Sequence, residues 1–522
     1  MVDRAARPGD GIVRHPAAHA SSSWVDSGPL VILTSLMVFT TAFLVLRYLG
    51  PQMLLWVTGG VAALILLTGI SLRWIQVALL VWLVSLMGFR RQMTLVLPGL
   101  PDPSPDRALL VWVLALLLAK RLFGSRQVVS RQESAAVTPP PVAFGLLDAL
   151  LVLHALYLLA SCLLVNPTAY TIWERAYMMP TAAFFIGKYV LSDGRWFERT
   201  VQLLVLLNVY MGFTSIAEHF HWNALVWPRW ILSTELDVNF EYAGRSHGIF
   251  QQPGVLGIFI GMILPFNVYL HLKSRGWWRW LHLVGIVICL GGLYFTYTRS
   301  TWLGAAVGLA TLALLGRRIY ARRIFAYGLL TVLVLGSGSL GMKQDTFLQE
   351  RVGTENTITE RISVLGRAIR MWQDRPLFGT GFKRYTDFRD DYAQAIEVPY
   401  FGLIKAGLGR VSSPHDIYVA ILAEEGLVGA AMQLWIYILL VRAYRRVYRF
   451  RGSSTDGKRD WWLPAIGGLG ACYFMGGVGF DYRYFETMNT LFYLCGGVIA
   501  SWATFGVGQV RSFGVRRLDT TG

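Results

Sequence analysis

Long apolar runs, repeated along nearly the whole chain, constrain its fold more than any other feature. Runs of about 18 or more apolar residues recur from Leu30 almost to the C-terminus, and each is long enough to cross a ~30 Å hydrocarbon core. Of the 522 residues 54% are hydrophobic, a larger share than water-soluble domains usually carry. The runs are continuous, without the alternation of membrane β-strands. The sequence therefore predicts an all-α, polytopic transmembrane helix bundle.

The apolar runs predict about fourteen spans, within a range of about twelve to fourteen. Their predicted bounds are 29–48, 52–70, 73–89, 106–123, 144–165, 176–192, 200–217, 250–272, 281–298, 300–316, 325–341, 415–441, 463–480 and 488–506. Basic residues cluster in short connections between runs, notably around residues 273–279, 317–323 and 442–451. The positive-inside rule places such connections in the cytoplasm, so the formal charge of +17 predicts topology rather than nucleic-acid binding.

The even number of spans puts both ends of the chain on the cytoplasmic side. We predict cytoplasmic tails at 1–28 and 507–522, a transmembrane bundle at 29–341 and C-terminal transmembrane helices at 414–506. Between them, residues 342–413 form a large periplasmic loop, far longer than an ordinary helix connection and therefore predicted to be functional. This arrangement corresponds to a multi-pass protein of the bacterial inner membrane.

The large loop contains a predicted short helix. Thr357 and Glu360 have the spacing of a capping box, and apolar residues follow at helical intervals until the segment from Pro376 to Gly381 ends the pattern. Arg361 is available at the margin of the apolar face.

His415 stands at the predicted start of the helix that follows the loop. Ser413 is the expected N-cap, Pro414 the first helical residue and Asp416 the third. The helix start offers backbone N–H groups to phosphate, and its dipole disfavours a protonated imidazole. His415 is therefore a candidate general base, although an interfacial histidine without a catalytic role fits the helix pattern as well.

Two arginines lie at outward ends of spans, on the same predicted side as His415. Arg245 precedes the span that starts near 250, and Arg299 lies in a tight turn between two spans. Charged residues at membrane depth tend to be functional, and the guanidinium fork matches phosphate oxygens. Snorkelling towards the interface is the alternative for each. No metal site, nucleotide-binding loop or cofactor motif is predicted, and His154 is expected to be a hydrogen-bonded bundle residue.

Three segments of the chain resemble the O-antigen ligase and polymerase family of bacterial envelope glycosyltransferases. The segments are Arg245–Pro253, Thr298–Gly304, and the loop block with Arg361, Arg375–Gly381, Pro414–Tyr418 and Glu424–Gly429. The chain has Asp416 where the family usually has asparagine, and Gly254 where it usually has asparagine after proline.

The resemblance implies a membrane glycosyltransferase fold of the GT-C type. It further implies inverting, metal-independent transfer of a glycan from undecaprenyl diphosphate to an acceptor hydroxyl, on a glycan or lipid-linked acceptor, at the periplasmic face. By position, His415 is the general base and Arg245 and Arg361 are the diphosphate ligands, with Arg299 or Arg410 as a substitute for Arg361. Ligase and polymerase are not separated by the sequence. Two other classes stay open, a small-solute transporter and a non-catalytic component of a polysaccharide export machine.

Overall fold

The computed structural model describes residues 68–71, 74–88, 104–123, 144–232, 244–316, 356–398, 402–404, 413–452 and 462–514. The chain divides into two compact units, Met1–Arg73 and Trp74–Gly522. Only residues 68–71 of the first unit are described, and they are helical. The remaining described residues belong to the second unit, and most of them lie in helices joined by short connections.

The helices of the second unit are, in chain order, α1 Ile75–Gly88, α2 Pro105–Phe123, α3 Leu146–Val165, α4 Tyr170–Trp173, α5 Met179–Val190, α6 Gly194–His219, α7 Pro253–Lys273, α8 Trp277–Phe295, α9 Arg299–Leu315, α10 Asn356–Asp374, α11 Tyr385–Phe388, α12 Ile417–Gly452, α13 Trp462–Gly479 and α14 Glu486–Gly514. A π-helical segment, Glu174–Met178, joins α4 to α5. Short 3₁₀ turns occupy Pro167–Ala169, Asn223–Leu225, Arg229–Leu232 and Gly248–Phe250.

The predicted spans agree with these helices. Each span from 73–89 onward coincides with a helix, except 325–341, which lies outside the described residues. The span 29–48 also lies outside them, and only residues 68–70 of the span 52–70 are described. The last helix continues past the predicted end at 506 to Gly514.

Among the described residues, five helices are long and apolar enough to cross a membrane: α3, α6, α7, α8 and the part of α12 from Ile417 to Arg449. Two shorter apolar helices correspond to α1 and α9. The prediction of an all-α, polytopic membrane protein is therefore confirmed for the described part of the chain.

Helix α7 is the centre of the bundle. Every residue from Pro253 to His271 is buried, which explains why its sequence is apolar on all sides. Helices α6, α8, α9 and α13 surround it, α9 packs along α13, and α5 packs along α14.

The predicted loop helix is present as α10. Its apolar face, with Val364, Ala368 and Met371, shares a core with Ala423 of α12, so the loop is fastened to the bundle. A two-stranded antiparallel hairpin follows, in which β1 (Ile396–Val398) pairs with β2 (Gly402–Ile404). This hairpin is the one β element within the described ranges, and the sequence did not predict it.

Candidate functional site

The segment before α12 differs from the predicted helix start. The helix begins at Ile417, and its cap is Asp416, whose carboxylate accepts hydrogen bonds from the backbone N–H groups of Tyr418 and Val419, each at 2.9 Å. The prediction of Ser413 as the N-cap and Asp416 as the third helical residue is therefore wrong. Serine and aspartate are both common N-cap residues, and in the structure the cap is Asp416, the residue adjacent to the helix.

His415 has a left-handed backbone conformation, with φ of 57°. This conformation is uncommon for residues other than glycine, so the surrounding contacts must hold it. On the preceding side, Ser413 donates a hydrogen bond from its hydroxyl to Asp481 at 2.8 Å. On the following side, the Asp416 cap fixes the helix start. His415 is thus held between two anchored residues and is only partly buried.

Asp481 lies in the connection between α13 and α14 and forms a two-point ion pair with Arg483. Nε of Arg483 lies 3.0 Å from one carboxylate oxygen and Nη2 lies 3.0 Å from the other. Burial alone would raise the pKa of the Asp481 carboxyl, but the Arg483 charge and the hydrogen bonds from Arg483 and Ser413 hold the pKa below its usual value. Asp481 is therefore a buried, ionised acceptor for Ser413.

Arg483 also contacts two buried acids of α12. Its Nη1 lies 3.2 Å from a carboxylate oxygen of Glu424 and 3.7 Å from one of Glu425. Three carboxylates thus surround one guanidinium. Burial of charged groups is costly in free energy unless each is paired with an opposite charge. We name Glu424, Glu425, Asp481 and Arg483 the Arg483 cluster.

Side chains and backbone groups from other segments form hydrogen bonds with the two glutamates of the Arg483 cluster. Glu425 lies 3.1 Å from Nε2 of His154 and accepts a hydrogen bond from the Tyr177 hydroxyl at 2.7 Å. Glu424 accepts one from the backbone N–H of Tyr385 at 2.9 Å and one from the Tyr484 hydroxyl. The expectation that His154 is a hydrogen-bonded bundle residue is confirmed.

Helix α12 breaks immediately after these acids, at Gly426, which has φ of 66°. A Cβ atom at this glycine would lie 2.4 Å from the carbonyl oxygen of Leu377, so only glycine fits. The loop segment Arg375–Gly381 passes against the break.

Backbone hydrogen bonds join this loop segment to the broken helix. The N–H groups of Leu427 and Val428 donate to Pro376 and Leu377, at 2.8 and 3.1 Å. Further along, the N–H groups of Thr380 and Gly381 donate to Ala423 and Glu424, at 2.8 and 3.0 Å. Backbone groups that a helix break exposes within a bundle must find such partners.

The predicted phosphate ligand Arg245 contacts the turn between α8 and α9. Its Nε donates to the carbonyl oxygen of Thr296 at 3.0 Å, and its Nη2 donates to the Thr298 hydroxyl at 2.5 Å. Arg299 is the first residue of α9 and is exposed. The structure therefore brings Arg245 and Arg299 to one turn.

The connection between α13 and α14 links this turn to the His415 segment. A Cβ atom at Gly479 would lie 2.4 Å from Cβ of Ser300, so the end of α13 touches the first turn of α9. Two residues further on, Asp481 holds Ser413. The arginine turn and the His415 segment thus lie at the same end of the bundle.

The other two predicted arginines are Arg361 and Arg410. Arg361 is exposed on α10, one helical turn before the buried Val364. Arg410 lies outside the described residues. Within the described ranges, no group of three or more His, Cys, Asp or Glu side chains is arranged to hold a metal ion.

The Arg483 cluster was not predicted from the sequence. The available signal was the pair Glu424 and Glu425 inside an apolar run, because buried acids require a cation. Arg483 lies between two predicted spans, and hydrophobic periodicity does not identify it as the partner of these acids.

The sequence profile of the O-antigen ligase family matches residues 284–434. The matched region contains Arg299, Arg361, His415 and the helix break at Gly426, whereas Arg245 and Arg483 lie outside it. The chain matches no curated protein. The apolar helices indicate a multi-pass membrane protein, and the matched segment is similar to the O-antigen ligase family. The match supports the assignment of this chain to the O-antigen ligase and polymerase family.

Proposed function

We propose that the protein is a glycosyltransferase of the bacterial inner membrane that moves a glycan from undecaprenyl diphosphate to an acceptor hydroxyl at the periplasmic face. His415 is the general base, and Arg245, Arg299 and Arg361 bind the diphosphate. The reaction inverts the anomeric centre and uses no metal. The observation that carries this proposal is the position of the His415 segment and the Arg245–Arg299 turn at one end of the bundle.

In the proposed reaction, His415 takes the proton of the acceptor hydroxyl while its oxygen attacks the anomeric carbon. The bond from that carbon to the diphosphate oxygen breaks, and the diphosphate departs with the electron pair. General-base catalysis of this type contributes about 10²–10⁴-fold. Negative charge grows on the leaving diphosphate, where guanidinium groups stabilise it more in the transition state than in the ground state.

The Arg483 cluster supports the base without touching substrate in this proposal. Arg483 orients Asp481, Asp481 accepts from Ser413, and Ser413 precedes His415 by two residues. A base that must approach a hydroxyl within hydrogen-bond distance needs such an anchored backbone.

His415→Ala tests the catalytic role directly. We expect transfer from a lipid-linked glycan in reconstituted membranes to fall by about 10²-fold or more. His221→Ala is the matched control, because His221 is also a histidine with left-handed backbone (φ 55°) and is exposed. Full transfer by His415→Ala would refute the mechanism, and solute flux that survives in this variant would favour a transporter.

The envelope glycans of a deletion strain separate the two enzyme types. Accumulated single repeat units indicate a polymerase, and accumulated long lipid-linked chains indicate a ligase. A deletion strain whose envelope glycans are the same as those of the wild type would contradict both enzyme types.

A further inference from the structure

An apolar groove lies on the bundle where α9 ends and α12 passes α13 and α14. Its volume is about 530 Å³, and its walls include Leu315, Leu440, Ile466, Phe474 and Ile499. A cleft of this size and lining is typical of sites for apolar ligands.

Two tyrosines form part of the wall and have their hydroxyl groups already bonded. Tyr444 donates to the carbonyl oxygen of Leu463 at 2.8 Å, and Tyr448 donates to that of Leu315 at 2.9 Å. These bonds tie α12 to α13 and to α9. The groove is therefore a fixed feature of the helix packing, with satisfied polar groups.

One end of the groove is basic. Arg445 and Arg449 line it, are exposed, and stand one turn apart on the same helix. The described lining residues include no carboxylate. An anion at this end would therefore meet two guanidinium groups, which suit phosphate oxygens.

The basic end of the groove is far from the candidate active site, whereas the apolar end reaches Phe474, whose carbonyl oxygen accepts a hydrogen bond from Tyr418. At about 1.5 Å per residue, Arg445 lies roughly 28 Å along α12 from the break at Gly426. That distance is close to the ~30 Å thickness of the hydrocarbon core. The basic end thus reaches the opposite membrane surface, where anionic lipid headgroups attract basic residues.

We propose that this groove binds an anionic glycerophospholipid, with acyl chains in the apolar cleft and the phosphate on Arg445 and Arg449. A free phosphate ion would use the arginines but not the cleft, whereas a neutral lipid would use the cleft but not the arginines. The continuity of both features favours a ligand that has both parts. The proposed phosphate site on Arg445 and Arg449 is separate from the proposed site of glycan transfer.

The first test uses the thermal midpoint of the purified protein in detergent with added phosphatidylglycerol or phosphatidylcholine. A lipid that binds only the folded state raises the midpoint. We expect phosphatidylglycerol to give the larger rise for the wild type. R445Q/R449Q should lose most of the difference between the two lipids. Arg446→Gln is the matched control, because Arg446 is an exposed neighbour that does not line the groove.

The second test fills the cleft at Gly470. A Cβ atom there would have its nearest neighbour, a ring carbon of Phe492, at 4.0 Å, so the position has room for a side chain. Gly470→Trp should abolish the rise with both lipids, while Gly470→Ala should keep it. Native mass spectrometry of the wild type should show a bound phospholipid that R445Q/R449Q retains less.

Three outcomes would overturn the proposal. The first is an unchanged preference for phosphatidylglycerol in R445Q/R449Q, and the second is an unchanged lipid response in Gly470→Trp. The third is an isoprenoid lipid or a second copy of the chain, instead of a phospholipid, as the species retained in mass spectrometry.

Discussion

Asp481 illustrates how one residue in a short connection can control a distant loop. It receives two hydrogen bonds from the Arg483 side chain, one from the Arg483 backbone N–H and one from Ser413, and these bonds hold it in its ionised form. The loop segment that ends in His415 is thereby fastened to the connection between α13 and α14. Position 481 is therefore expected to affect both the stability of the protein and the position of the His415 segment.

Asp481→Asn should lower the free energy of unfolding by about 3 kcal/mol, because it breaks one side of a buried ion pair. Unfolding in detergent at neutral pH measures this. Asp390→Asn is the control: Asp390 is half-exposed, its oxygen lies 3.7 Å from Arg389, and such a pair contributes at most about 1 kcal/mol. Equal effects of the two substitutions would contradict the assigned role of Asp481.

The same residue predicts a pH dependence. Its folded-state pKa lies below its usual value of about 3.9, so its contribution to stability is present above that pH. The contribution is lost as pH falls through the depressed pKa. The stability difference between wild type and Asp481→Asn should therefore be constant near neutrality and shrink only in strong acid. If this stability difference instead shrank between pH 5 and 7, a group other than Asp481 would have to account for the pH dependence.

At the scale of elements, the break in α12 joins the loop segment Arg375–Gly381 to the bundle, in addition to the contact between α10 and α12. The loop segment Arg375–Gly381 satisfies backbone groups on both sides of Gly426 and lies against the acids of the Arg483 cluster. The loop and the transmembrane helix are thus parts of one site. A mutation in either should disturb the other.

Gly426→Ala should destabilise the protein by about 2 kcal/mol or more. Left-handed backbone costs an L-residue about 1–2 kcal/mol, and the new methyl group would collide with the Leu377 carbonyl. The thermal midpoint and the protease resistance of the loop should both fall. Gly194→Ala is the control, because a Cβ atom there meets nothing within 4 Å. An unaffected loop in Gly426→Ala would show that the break does not hold it.

The elements also show what could be predicted from the sequence. Apolar runs located the helices, since a membrane span must be long and apolar whatever it packs against. The loop helix was predicted from its capping pattern and apolar spacing. The position of the cap at Asp416 instead of Ser413 was not predicted. The Ser413 hydroxyl instead donates a hydrogen bond to Asp481, which is distant in sequence, and the backbone then takes a left-handed turn at His415.

On the scale of the whole molecule, three separate parts of the sequence meet at one end of the bundle. The arginine turn touches the end of α13, and the connection that follows holds the His415 segment. The sequence predicted the common side from topology, but not the connection that joins the parts, because span periodicity has no information on which loops touch. The roles of His415, Arg245, Arg299 and Arg361 stay predictions.

Cysteine labelling tests the shared, outward-facing site most directly. All four native cysteines are buried, so a membrane-impermeant maleimide should meet little background. In intact spheroplasts, His415→Cys and Arg299→Cys should both react from outside, while Arg446→Cys should react only after the membrane is permeabilised. Labelling of position 415 only after permeabilisation, or of positions 415 and 299 from opposite sides, would contradict the account.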